Sequence, residues 1–324
     1  MKRRNWLGYF LNPYQKHVPR GIIHYLLWRF GFYKDETVPE PLPLGFKYPN
    51  DQSEADLSAP HATWINHSTF WVMLDGKGIL VDPIWNERCS PIPFIGPKRH
   101  HLPSHSLLQL QKVDYVIASH NHYDHLDKKT VKQINQLYPN VTWIVPLKVK
   151  KWVHKVLPTV EKERVIELDW WEKFQNKDFT FTAVPAQHFS GRGLFDKNRS
   201  LWMGCVIESE RSKKRVYFAG DTGYNPIDFK KIGQMFGSMD LSLIPIGVYT
   251  PRRFMCSVHI NPVESLAIHN DVNSKLSIGG HFGTFKLSSD AITRPPFDLY
   301  RALEKEKTPW ESFRVLKPGQ YINW

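Results

Sequence analysis

The sequence predicts an α/β (α+β) protein, a layered body whose strands form two sheets or one large mixed sheet. Two observations carry that class. Short apolar runs rich in Val, Ile, Phe and Trp alternate with amphipathic stretches of helical period along most of the chain. Turn and breaker residues separate them, and no run reaches the ~18–20 apolar residues needed to cross a bilayer. A composition of 41% hydrophobic and 23% charged residues over 324 positions is that of a folded, globular chain with enough length for a sizeable core.

Taken in order, ATWI and FWVMLDGKGILVD read as antiparallel strands turning at Asp75-Gly76. VDYVIA is a buried strand, and DKKTVKQINQLYP a helix ended by Pro139. TWIVP is a strand and VKKWVHKVL a helix. RVIEL, FTFTAVP, SLWMGCVIE and RVYFAG are strands. FKKIGQMFG is a helix and LSLIPI a strand. NPVESLAIHNDV and AITRPPFDLYRALEKEK contain helices, with the strand KLSIGG between them. No internal repeat or low-complexity tract interrupts this order.

Residues 1–60 stand apart from the body, 61–324. GIIHYLLWRFGFY, residues 21–33, is aromatic with basic neighbours, suited to a membrane interface or to packing on the body as a helix. TVPEPLPLGFKYPNDQSEAD reads as an extended linker. The opening MKRRNWLGYFLNPYQ has only a short apolar patch, broken at Asn12-Pro13, so no secretory signal is expected. Cys89, Cys205 and Cys256 show no CxxC spacing, which argues against a disulfide framework or thiolate site and for a reducing compartment. With 43 Lys+Arg against 31 Asp+Glu the net charge is +12, compatible with nucleic acid, an anionic membrane, a phosphate-bearing substrate, or simple solubility.

Four apolar strands end in residues able to bind metal. VDYVIASH leads to His120, His122, Asp124 and His125; FTFTAVPAQH to His188; RVYFAGD to Asp221; KLSIGGH to His281. Loops at the carboxyl ends of strands are where layered α/β proteins commonly place chemistry. Imidazole and carboxylate are the usual ligands of zinc and similar ions when no thiolate is present. Five histidines and two aspartates suffice for two ions.

The cluster HNHYDH resembles the signature of the metallo-β-lactamase superfamily, which implies an αββα sandwich and two Zn2+ per chain. By that resemblance His120, His122 and His188 hold one ion, Asp124, His125 and His281 the other, and Asp221 bridges them. A hydroxide held between the ions is the implied nucleophile. Antibiotic hydrolysis is not implied, because Asp221 stands where the classical β-lactamases carry cysteine. ATWINHSTFWVMLD, ILVDPIW, GPKR, IELDWWE, FAGDTGY, IPIGVYTPRRFM and HFGTF further resemble, in order, the N-acylphosphatidylethanolamine-hydrolysing phospholipase D family. FLNPYQ and HYLLWRF resemble its membrane-facing amino-terminal region.

The resemblance implies a phospholipid substrate cleaved to phosphatidic acid and an N-acylethanolamine, on an anionic membrane surface. The expected location is the cytoplasm, peripherally membrane-attached; no nucleic-acid partner is expected, since no RNA-handling insertion is seen, and a homodimer is left open. Asp124 and His259 are the expected catalytic residues, His259 as general acid or phosphate contact unless it is a hydrogen-bonded structural residue. His67 reads as orienting a metal ligand or as core. Arg252 and Arg253 read as a phosphodiester clamp or as a solvated face. Lys98, Arg99, His100 and His101 form a basic loop suited to an anionic headgroup or to plain surface charge. His17, His24, His105, His154 and His269 are read as structural, and Trp170 and Trp171 as core or interface aromatics. Asn66, Phe189, Val258, Asn261 and Phe282 depart from the family pattern near the substrate. The alternative function is another hydrolysis on the same fold, by a lactonase or another phosphodiesterase or nuclease; a non-catalytic scaffold is disfavoured by the complete ligand set.

Overall fold

The computed structural model describes residues 4–15, 30, 44–48, 56–193 and 195–324. The apolar segment 21–33, apart from Phe30, lies outside them, as do most of the linker, His17 and His24.

Two seven-stranded sheets pack face to face. The first is built from β1 (His61–Asn66), β2 (Thr69–Leu74), β3 (Lys77–Val81), β4 (Tyr115–Ile117), β5 (Thr142–Pro146), β6 (Val165–Leu168) and the C-terminal β14 (Tyr321–Asn323), in the order β14-β1-β2-β3-β4-β5-β6. The second contains β7 (Lys173–Gln175), β8 (Phe179–Val184), β9 (Gly204–Ser209), β10 (Arg215–Phe218), β11 (Leu241–Pro245), β12 (Ser277–Gly280) and β13 (Phe313–Arg314), running β13-β12-β11-β10-β9-β8-β7. Each sheet is antiparallel on one side and parallel on the other: β3-β4-β5-β6 and β10-β11-β12-β13 are the parallel stretches. The Asp75-Gly76 hairpin forms as expected, both residues at positive φ (51° and 75°), the geometry a two-residue turn between twisted strands requires.

Strand periodicity sorts the apolar side chains into three layers. Phe70, Val72, Ile79, Val81, Tyr115 and Ile117 meet Phe179, Phe181, Cys205, Ile207, Val216 and Leu243 between the sheets. Their alternates Leu80, Val116, Trp143 and Val145 face outward beneath α1 (Lys128–Leu137) and α2 (Lys150–Val156), through Val131, Ile134 and Val153. On the other flank Val206, Tyr217 and Ile244 are covered by α3 (Pro226–Phe236), α5 (Pro262–Asp271) and α6 (Pro295–Lys305), through Phe229, Leu266 and Leu299. This is the αββα layering, and it explains why most strands are apolar at every position: both faces are buried. Three short strands, β7, β13 and β14, and the one-turn helix α4 (Arg252–Met255) carry too little pattern to be read from sequence. Among the described residues no helix is long and apolar enough to cross a membrane.

Residues 4–15, read from sequence as part of the extension, pack on this body. Phe10 is fully buried in the inter-sheet cluster, and its N–H donates to the Asn198 carbonyl at 2.9 Å. Burying one phenylalanine contributes about 1.5–3 kcal/mol toward holding the arm on the body.

Candidate metal centre

The HNHYDH loop leaves β4 and ends where Asp127 caps α1, accepting from the Thr130 N–H at 2.8 Å. Its start is fixed by Asp82 at the end of β3. The Asp82 carboxylate accepts from the Ser119 N–H and hydroxyl, both at 2.6 Å, and lies 2.5 Å from His125 Nδ1. The Ser119 hydroxyl in turn sits 2.9 Å from His120 Nδ1. Asp82 holds φ at +40°, a backbone state costly for a side-chain-bearing residue and retained where the surroundings impose it. Arg192 locks the outside of the loop: its guanidinium donates to the Asn121 and Leu126 carbonyls at 2.7 Å each and lies 3.9 Å over the Tyr123 ring.

The remaining candidates arrive from the other sheet. His188 follows β8, Asp221 follows β10 and His281 follows β12. Gly220 makes the turn into Asp221 with φ +62°, and a Cβ there would lie 2.7 Å from the Met203 carbonyl oxygen. His281 adopts φ +59°, its N–H donating to the His67 carbonyl at 2.9 Å. The two sheet ends therefore deliver all seven candidates to one place.

Their side chains form two groups. His120 Nε2 lies 2.7 Å and His188 Nε2 3.3 Å from His122 Nδ1. Asp124 Oδ2 lies 3.3 Å from His125 Nε2, 3.8 Å from His281 Nε2 and 3.1 Å from His67 Nε2. Asp221 Oδ2 reaches both groups, 3.1 Å from His125, 3.0 Å from His281 and 3.7 Å from His188. In each group the donor atoms lie within 4.8 Å of one another, close enough to share an ion.

Electrostatics favours cations here. Burial opposes charge on Asp124 and Asp221, but His125 and His281 overcome it and hold both carboxyls well below the usual range. Burial likewise opposes charge on His125, yet Asp221, Asp124 and Asp82 hold its imidazole well above its ordinary value; His281 rises to about 9, where Asp221 and Asp124 outweigh burial. By contrast, burial keeps His120 and His188 neutral and pulls His122 down to about 4, the form in which imidazole binds metal. Asp221 Oδ1 is buried without a hydrogen-bond partner, and His125 Nε2 and His281 Nε2 face Asp221 Oδ2 at 3.1 and 3.0 Å without hydrogen-bond geometry. Unpaired buried polar atoms are costly, and metal ions placed among them would satisfy all three. The residues present fit a pair of divalent ions.

Other sequence candidates fall differently. His67 is fully buried and aims Nε2 at Asp124, while its N–H donates to the Thr284 hydroxyl at 2.7 Å. His259 faces Asp221, Nδ1 to Oδ2 4.0 Å, and burial pulls it down to about 3, so it is a neutral imidazole. The Arg252 guanidinium is engaged elsewhere. It forms a bidentate pair with Glu264 (2.7 and 2.9 Å) and donates to the His259 carbonyl at 3.0 Å, bracing that loop against α5 instead of presenting to a phosphate. Arg253 is exposed on α4. In the basic loop Arg99 is buried and donates to the Asn86 and Ile84 carbonyls, while exposed Lys98 pairs with Glu87, so this loop is internally bonded. His269, His105 and Trp170 are structural as expected: His269 lies 2.8 Å from the Ser277 hydroxyl, His105 3.1 Å from the Tyr321 hydroxyl, and Trp170 donates to the Trp202 carbonyl at 2.6 Å.

The departures from the family pattern also find places. Asn261 caps α5 in a reciprocal box with Glu264, work that asparagine and aspartate do equally well. Val258 contributes its carbonyl, which accepts from His188 Nδ1 at 3.0 Å. Asn66 is buried and donates to the Ile84 carbonyl at 3.2 Å. Phe282 stacks on Trp64 at 4.6 Å, and the Phe189 ring lies 4.5 Å from that of His122, at the rim of the centre.

Two residues that sequence reasoning passed over help to set the geometry: Asp82 and Arg192. Only Asp82 left a signal, an isolated carboxylate closing an apolar strand in ILVDP.

Comparison with known proteins agrees with this architecture. The family model described as "Beta-lactamase superfamily domain" matches residues 77–282. The chain is 42% identical over 247 residues to the N-acyl-phosphatidylethanolamine-hydrolyzing phospholipase D 1 of Caenorhabditis elegans, covering 75% of this chain and 69% of the relative. It is 32% identical over 269 residues to the mitochondrial N-acyl-phosphatidylethanolamine-hydrolyzing phospholipase D of Saccharomyces cerevisiae, covering 82% of this chain and 55% of that longer one. Among solved structures Igni18, a metallo hydrolase of Ignicoccus hospitalis, superposes with a TM-score of 0.58 at 20% identity over 82% of this chain and 97% of its own, a likeness of fold. The chain thus belongs to the beta-lactamase superfamily and, within it, to the family of N-acylphosphatidylethanolamine-hydrolysing phospholipases D.

Proposed function

We propose that this protein is a two-zinc phosphodiesterase that cleaves N-acylphosphatidylethanolamine-like phospholipids to phosphatidic acid and an N-acylethanolamine. The observation that carries the reading is the position of Asp221, whose Oδ2 lies within 3.7 Å of ligand nitrogens from both groups. A carboxylate in that place suits two ions sharing one reaction. His120, His122 and His188 would hold one ion, Asp124, His125 and His281 the other, with Asp221 between them and His67 orienting Asp124. When bound, such ions lower the pKa of water and stabilise negative charge on phosphoryl oxygens.

Hydrolysis forms one P–O bond from water, breaks the P–O bond to the ethanolamine oxygen, and delivers a proton to that oxygen. His259, held neutral, serves by donating an N–H hydrogen bond to a phosphoryl or departing oxygen. Of the two roles expected from sequence, general acid or phosphate contact, this is the second. Asp124 and Asp221, kept ionised, fix the imidazoles around them and fill the centre with the charge that zinc needs.

A lipid surface is supported by the rim. Trp6 (91% exposed), Leu7, Leu11 and Phe195 (86% exposed) project beside exposed Arg4, Lys197 and Arg199. Arg199 bonds the Tyr9 hydroxyl at 3.0 Å, joining the amino-terminal arm to the Phe195 loop, and Lys197 lies 5.6 Å over the Phe189 ring beside the centre. Apolar side chains among cations suit an anionic interface, and we extend this to peripheral attachment on a cytoplasmic membrane face. The body of 61–324 would carry catalysis and the segment before it the attachment.

The test pairs metal analysis of purified protein with a substrate screen in mixed micelles. About two zinc equivalents and release of phosphatidic acid are expected. Turnover of a lactone or of RNA in place of the phospholipid sinks the substrate reading, and a zinc-free active protein sinks the mechanism.

A further inference from the structure

The amino-terminal arm makes three side-chain hydrogen bonds to the body that membrane attachment does not need. Asn12 donates through Nδ2 to the backbone carbonyl of His188 at 2.7 Å and accepts through Oδ1 from the buried Trp202 indole N–H at 3.0 Å. Gln15 donates to the Ser257 carbonyl at 2.7 Å, and the Asn12 and Gln15 side chains bond each other at 3.2 Å. Ser257 immediately precedes Val258, whose carbonyl accepts the Nδ1–H of His188 at 3.0 Å. The arm therefore grips both sides of one hydrogen bond: the ligand's own backbone on one side, the peptide that fixes its ring on the other. Phe10, fully buried, anchors it two residues before Asn12.

That hydrogen bond matters because it sets the tautomer. With Nδ1 protonated toward Val258, His188 Nε2 carries the lone pair, 3.3 Å from His122 Nδ1. We infer that Asn12 and Gln15 are positioning residues for the metal group His120/His122/His188, acting through His188, and that the arm is part of the metal centre's scaffold. The inference rests on reading that group as a zinc site. The sequence separation explains why the link was not visible beforehand, Asn12 and His188 being 176 positions apart and Gln15 and Ser257 242.

The test is zinc competition with a chromophoric chelator on the full chain, for the wild type and for Asn12→Asp, Gln15→Ala and Tyr9→Phe. Asn12→Asp keeps the acceptor for Trp202 and turns the donor to His188 into an opposing carboxylate. Tyr9→Phe removes only the surface contact with Arg199 and controls for general loosening of the arm. Asn12→Asp and Gln15→Ala are expected to weaken one of two zinc equivalents by about 10–100-fold, the range for partners that orient a ligand. The second equivalent, the Tyr9→Phe variant and the melting temperature of each metal-free protein stay close to wild type. Wild-type affinity in both Asn12→Asp and Gln15→Ala overturns the inference, as does an equal loss in Tyr9→Phe. A wild-type chain that takes up no zinc sinks the proposed function and this inference with it, an outcome separable from the others because no substrate is involved.

Discussion

Asp82 offers the sharpest perturbation, because a single buried carboxylate reaches both ligand groups. Its oxygens take the Ser119 N–H, the Ser119 hydroxyl and His125 Nδ1 within 2.5–2.6 Å, and Ser119 passes the contact to His120. Asp82→Asn preserves volume and one acceptor but turns an amide N–H2 toward His125. The imidazole must then accept at Nδ1 and carry its proton on Nε2, the atom 3.1 Å from Asp221 that is needed for metal. Losing one hydrogen bond to a charged group is worth about 1.5–3 kcal/mol. Expressed as binding, that is about 10–100-fold in affinity for the ion proposed to sit among Asp124, His125 and His281. Isothermal titration of the metal-free variant with zinc measures it directly, one equivalent weakened and the other affected less. Two wild-type equivalents in Asp82→Asn would refute the reasoning that this carboxylate sets the tautomer of His125.

Three further outcomes are expected. Gly220→Ala forces a Cβ to within 2.7 Å of the Met203 carbonyl oxygen at φ +62°. The left-handed backbone alone costs about 1–2 kcal/mol. A shift of Asp221 by about an ångström should cost on the order of 100-fold in kcat, so undiminished turnover counts against Asp221 as the shared carboxylate. His269 is pulled down to about 4 by burial, against an ordinary value of 6.5, so the unfolded chain binds more protons between those two values. Stability at this residue is intact above pH ~6.5 and falls as pH drops toward 4, by on the order of 2–3 kcal/mol. Thermal melts of His269→Gln should show a shallower acid slope than wild type, and an identical slope would exclude His269 as its source. Replacing Trp6 and Phe195 together by serine should weaken binding to anionic liposomes about tenfold or more while sparing hydrolysis in detergent micelles, because each side chain is almost fully exposed. Liposome binding equal to wild type would remove the rim from the account.

Much of the fold and most of the centre could be read from the chain because both are written locally. Strands buried on two faces give unbroken apolar runs, and four of those runs end in histidine or aspartate, a repeated pattern that suggested the convergence of His120, His188, Asp221 and His281. What escaped was written at long range. Asp82 meets His125 across 43 positions and Arg192 meets Asn121 across 71, contacts whose partners are set by the sandwich and not by any spacing. Arg252 was legible as a cation but its direction was not. The bidentate pair with Glu264 exists because α4 and the start of α5 fold beside each other, which no periodicity announces. His259 was legible as a candidate, and its neutrality was not, since that depends on burial.

The central claim, water attack at phosphorus of an N-acylated phospholipid, is tested most directly by turnover in 18O-enriched water. Mass spectrometry of both products from N-acylphosphatidylethanolamine should place the label in the phosphate of phosphatidic acid and leave the N-acylethanolamine unlabelled. Label in the ethanolamine hydroxyl, or products lacking phosphatidic acid altogether, would contradict it.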